Sequence, residues 1–115
     1  MKVISLILIT LCSTSVIAQS DLEGIWETGQ ENTKIEIAEL NGQLTGKIKS
    51  SDNQKATIGK VILKDLKKDG SNWTGRLYAA RRGEWYDVEI TPNQRILELE
   101  IRAGIFSKSV VWKRY

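Results

Sequence analysis

From residue 24 onward the chain reads as strands separated by turns, and in several stretches apolar and polar side chains alternate with a period of two, the signature of a strand with one buried face. Residues 24–28 form a predicted first strand around Ile25 and Trp26. Residues 34–37 alternate, and Asn41-Gly42 follows shortly after. Both residues of that pair accept positive φ, which makes it a strong hairpin signal. Residues 43–49 alternate again, with Leu44 and Ile48 on one face and Gly46 between them. Residues 50–57 are polar and read as a loop. A strand at 61–66 then runs into a turn at Lys68-Asp69-Gly70, and 73–78 places Trp73, Gly75 and Leu77 on one face. Residues 79–83 hold a turn, with Gly83 best suited to positive φ. In 85–90, Tyr86, Val88 and Ile90 share one face while Trp85, Asp87 and Glu89 share the other. Thr91-Pro92-Asn93-Gln94 reads as a turn because Pro92 fixes φ. Residues 96–103 alternate most cleanly: Leu97, Leu99, Ile101 and Ala103 inward, Glu98, Glu100 and Arg102 outward. Gly104 breaks the run, and 109–114 is the last strand, with Val110 and Trp112 on one face.

No stretch after residue 18 carries a clear helical stripe; 58–68 has the spacing for one, but its β-branched content favours a strand. About seven to eight short strands, roughly 8–12 residues apart, predict an all-β fold: a small antiparallel up-and-down β-barrel or a closed sandwich. Closure removes the sheet edges that would otherwise pair with other chains.

The first residues follow a different pattern. Lys2 supplies a positive start, and an apolar run from Val3 to Leu11 is interrupted only by Ser5 and Thr10. Val16 and Ala18 are the small residues expected before a cut at Gln19. Residues 1–18 are therefore predicted to be a cleavable signal peptide, and 19–115 a single barrel domain. The run falls short of the roughly 20 apolar residues that span a bilayer, so no transmembrane segment is expected after cleavage. The expected location is exported, either periplasmic or secreted. Cys12 raises a lipoprotein alternative, but that pattern wants a small residue where Leu11 stands. If Cys12 leaves with the signal, the domain has no disulfide, thiolate metal site or thiol nucleophile.

Composition narrows the chemistry. The chain has 115 residues, a formal charge of +3 and no histidine. Without histidine there is no Ser-His-Asp triad, Cys-His dyad or His-based zinc site. Basic and acidic residues are interspersed, so no nucleic-acid partner is expected. No cofactor and no metal are expected; no oxygen cluster has calcium-loop spacing.

Several segments resemble the exported bacterial family named domain of unknown function 2147. They are Gly24-Ile25-Trp26, the hairpin Gly42-Gln43-Leu44-Thr45-Gly46-Lys47-Ile48, residues 59–66, residues 70–75 around Trp73, Gly83-Glu84-Trp85-Tyr86 and Val111-Trp112-Lys113-Arg114. The resemblance implies the barrel fold and export, and leaves activity open. It departs after Tyr78, where the family pattern has an acidic residue and a proline and this chain has Ala79-Ala80-Arg81-Arg82. Gly24-Ile25-Trp26 is also similar to the Gly-x-Trp of lipocalins. That similarity implies that a cation from the last strand, Lys113 or Arg114, covers Trp26 and closes the barrel.

Four tryptophans are present. Trp26, Trp73 and Trp112 are expected to be structural plugs, with Arg114 alongside. Trp85 shares a face with two acids and is the candidate for binding. Arg81, Arg82, Trp85 and Tyr86 together form a candidate ligand site, the arginines for charge and the rings for stacking. Two of Glu84, Asp87 and Glu89 could form a glycosidase-like carboxylate pair, with Asp87 and Glu89 on one face. Glu98 and Glu100 read as cross-strand partners of Arg or Lys. The expected function is a non-enzymatic exported barrel binding a small molecule or an envelope protein. The alternatives are an interaction protein without a cavity and a carboxylate hydrolase of envelope glycans.

Overall fold

The computed structural model describes residues 21–115, so the signal read at 1–18 and Cys12 within it lie outside the described residues. Eight strands follow in order: β1 (Gly24–Glu27), β2 (Lys34–Leu40), β3 (Gln43–Ser50), β4 (Val61–Asp69), β5 (Asn72–Ala79), β6 (Glu84–Pro92), β7 (Ile96–Ala103) and β8 (Phe106–Arg114). Each pairs antiparallel with the next, and β8 returns to β1. The fold is a closed up-and-down barrel, not a sandwich.

Local chemistry sets the turns. Asn41 and Gly42 both take positive φ (53° and 81°), as a tight hairpin with right-handed strand twist requires. Several boundaries differ from the sequence reading, among them the end of β2, which runs on past Ile37 to Leu40. Lys68 and Asp69 stay in β4, and the turn moves to Gly70 and Ser71. Pro92 ends β6 opposite Leu97 instead of opening a turn; a strand end tolerates its missing N–H. β8 begins at Phe106, three residues early, because polar Ser107, Lys108 and Ser109 hide the alternation.

The interior holds Trp26, Ile35, Ile37, Leu63, Ile90, Leu97 and Leu99, all nearly or fully buried. β4 is irregular on both sides. Against β3, Gly46 pairs with Leu63 and Lys47 with Val61, so Ile62 is an extra residue and both Ile62 and Leu63 reach the interior. Against β5, Asp65 and Leu66 together oppose Gly75, and Asp65 takes φ 54°. Such bulges bend a strand and sharpen its twist, which closing a small barrel demands. Outward positions carry charge, including an ion pair of Lys49 with Glu36 and a bridge from Arg102 to both Glu89 and Glu100. Glu100 faces Glu89 across the strands, so its cation comes from its own strand; Glu98 faces Thr91 and Val111 and has no ion pair among the described residues. Among the described residues, no helix is long and apolar enough to cross a membrane.

Candidate functional site

The two ends of the barrel differ. The closed end is built around Trp26, which is fully buried. Its Nε1 donates to the Leu22 carbonyl at 2.9 Å, and Leu22 is itself fully buried as a plug. The Arg114 guanidinium lies 4.3 Å from the Trp26 ring centroid and donates to the backbone carbonyls of Glu23 and Asp21. Of the two candidate cations, Arg114 is therefore the one that covers Trp26. Gly24 makes room for it: a Cβ there would sit 2.6 Å from Arg114 Nη1, and φ is +141°. The Gly-x-Trp segment and the terminal cation thus form one closure, joined by the pairing of Trp26 with Arg114 across β1 and β8. Trp73 packs half-buried against the core beside a small cavity of about 380 Å³, which Glu23, Glu39, Asp65 and Lys67 also line. Its Nε1 is enclosed with no acceptor among the described residues.

The other end is open. A cavity of about 960 Å³ lies beneath the loops joining β1 to β2, β3 to β4 and β5 to β6. Its floor is apolar: Ile35, Ile48, Ile62, Leu77, Val110 and Trp112. Its rim is polar, with Thr33, Ser51 and Asn53 joined by Lys55, Lys60, Arg81 and Lys108. The rim loops are tied together. Thr33 Oγ1 and Ser51 Oγ share a 2.7 Å hydrogen bond, and the Asp52 N–H donates to the Glu31 carbonyl at 2.9 Å. Gly59 N–H donates to the Ile48 carbonyl at 2.7 Å, pinning the long loop to β3. An apolar floor with a few fixed polar groups at its mouth is the arrangement of a small-molecule site. An eight-stranded barrel has room for one such ligand.

The four candidate ligand residues are not brought together. Arg81 lines the cavity mouth. Arg82 is exposed on the turn and does not line it. Trp85 is on the outer wall, edge-on to Tyr78 with centroids 5.3 Å apart and Lys64 Nζ 4.1 Å from its own. Tyr86 is half-buried and donates its hydroxyl to Glu84 at 3.0 Å. Of the structural residues, Trp26 and Arg114 close one end, Trp73 sits beside that end, and Trp112 floors the cavity. Glu84 is exposed at the start of β6, Asp87 is exposed on the wall, and Glu89 is bound to Arg102, and none of the three lines either cavity.

The sequence reading missed Lys55, Lys60 and Lys108. Lys108 had a usable signal. It pairs with Ile101 and alternates with Val110 and Trp112, so it belongs to the inward face. Lys55 and Lys60 are in an irregular loop where periodicity says nothing.

Comparison with curated proteins and with solved structures finds no match. A family model matches residues 24–114, from the glycine of the closure to its arginine. The chain belongs to the bacterial family described as "Uncharacterized protein conserved in bacteria (DUF2147)".

Proposed function

We propose that this protein is an exported binding domain of the cell envelope that takes a small, largely apolar molecule into the open end of its barrel. The observation that carries the reading is the 960 Å³ cavity with an apolar floor and a polar rim. Its volume falls within the roughly 300–1,000 Å³ of small-molecule sites. A barrel serving only as an interaction scaffold has no need of an unfilled apolar end. The export half of the reading is supported by the pattern of Lys2, the apolar run and Ala18.

The test uses a neutral apolar dye, N-phenylnaphthylamine, whose emission rises in an apolar site. Titration of the full chain is expected to saturate at one dye per barrel. Val110→Trp fills the floor and is expected to abolish the rise, while Arg82→Ala, away from the cavity, leaves it unchanged. Thermal melts confirm that each variant is folded. Absence of a saturable rise in the unaltered protein, or an undiminished rise in folded Val110→Trp, defeats the reading.

A further inference from the structure

We infer that the ligand is an amphiphile with one anionic head, its apolar tail on the floor and its head at Lys108, Arg81, Lys60 and Lys55. The inference deepens the binding reading above and rests on it. Its first support is the register of β8. Lys108 pairs with Ile101 and shares the inward face with Val110 and Trp112. A lysine on the inward face of a barrel strand puts a charge where the pattern calls for an apolar side chain. Its side chain is exposed, so the charge is solvated at the mouth and open to an anionic partner whose apolar part lies on Val110 and Trp112.

The rim supplies no such partner. Four cations line the cavity against one acid, Glu31. Among the described residues, the ion pairs are Lys49 with Glu36 and Arg102 with Glu89 and Glu100, so none of the four rim cations is in one. Lys60 Nζ lies 3.9 Å from the centroid of the Tyr78 ring, the ring that also packs against Trp85, so its partner is a π face and not an acid. The small cavity near the closed end has the reverse balance, three acids to one lysine. The two cavity linings thus carry opposite charge balances, and the cations lining the open mouth give it a local positive field. Such a field favours anions and disfavours cations. Charge-assisted hydrogen bonds from Lys and Arg to a carboxylate or phosphate are about twice as strong as neutral ones.

The experiment displaces N-phenylnaphthylamine from the full chain with four amphiphiles of one tail length. They are dodecanoate, dodecyl phosphate, dodecanol and dodecyltrimethylammonium. At least one anion is expected to displace the dye at about tenfold lower concentration than dodecanol, with the cation weakest. The tighter of the two anions identifies the head as carboxylate or phosphate. Lys108→Met and Arg81→Met are expected to erase most of the anion's advantage and leave dodecanol unchanged, while Lys108→Arg retains it. Raising the salt concentration narrows the gap. If the dye binds but dodecanol matches both anions, or the cation binds tightest, the anionic head is wrong and the cavity reading survives. If the dye never binds, both fall.

Discussion

A methyl group at Gly24 would meet Arg114 Nη1 at 2.6 Å, in a backbone conformation (φ +141°) that side-chain-bearing residues rarely adopt. Gly24→Ala is therefore expected to lose about 1–3 kcal/mol of stability, read from the denaturant midpoint. Arg114→Ala in the same chain removes the clash, so the double variant is expected to lose less than the sum of the singles. Simple additivity would show that the two residues are not one closure. Trp26→Phe keeps an aromatic ring but removes the N–H that the buried Leu22 carbonyl accepts from at 2.9 Å, and leaves a void where the second indole ring packed. About 1–3 kcal/mol is expected from that change, measured the same way. This closure was largely legible in the sequence, since Gly24, Trp26 and a terminal cation are conspicuous as residue types. The choice of Arg114 over Lys113 follows from alternation, since Arg114 shares the face of Val110 and Trp112, and the pairing of Trp26 with Arg114 across β1 and β8 agrees with it.

The strands depend on two close approaches. A Cβ at Gly46 would lie 2.9 Å from the Leu63 Cβ, which cannot rotate away, so Gly46→Ala forces β3 and β4 apart. Overpacking of this kind costs about 1–3 kcal/mol. A Cβ at Gly75 would meet the flexible Leu66 Cδ2 at 2.7 Å and the Lys64 carbonyl oxygen at 3.0 Å. Gly75→Ala is expected to destabilise too, and adding Leu66→Ala relieves only the first contact. Full recovery in that double variant would show that the backbone contact is slack. Ile105 and Phe106, at the tip of the β7–β8 hairpin, are 94% and 74% exposed. Serine at either is expected to change stability by no more than about 0.5 kcal/mol in the same unfolding measurement. Strand existence and order were legible because period-two alternation is clear in β2, β3, β6 and β7 and turn residues separate the rest. The two irregularities of β4 were not. The consecutive Val61, Ile62 and Leu63 break the alternation without saying where the extra residue lies, and the left-handed residue of the second bulge is Asp65, not a glycine.

The barrel as a whole has one closed and one open end, and that polarity is what the sequence conceals. Alternation assigned Trp85 to the face of Asp87 and Glu89, and Trp85 is indeed on the wall beside Lys64 and Tyr78. Alternation does not say where along the inward face the packing stops. The cavity forms because side chains from β2, β3, β4, β5 and β8 stop short of filling the end beneath the loops. Arg81 was found through its turn, whereas Lys108, though in phase with Val110 and Trp112, was missed because its flanking serines delay the apparent start of β8. The most direct test of ligand entry at the open end follows the four indole N–H signals of the isotope-labelled full chain by NMR as N-phenylnaphthylamine is added. The account predicts that the Trp112 signal and the amides of Ile48 and Val110 move and saturate together while Trp85 stays still. Movement of Trp85 and Lys64 with Trp112 unchanged would contradict it, and would place binding on the outer wall instead.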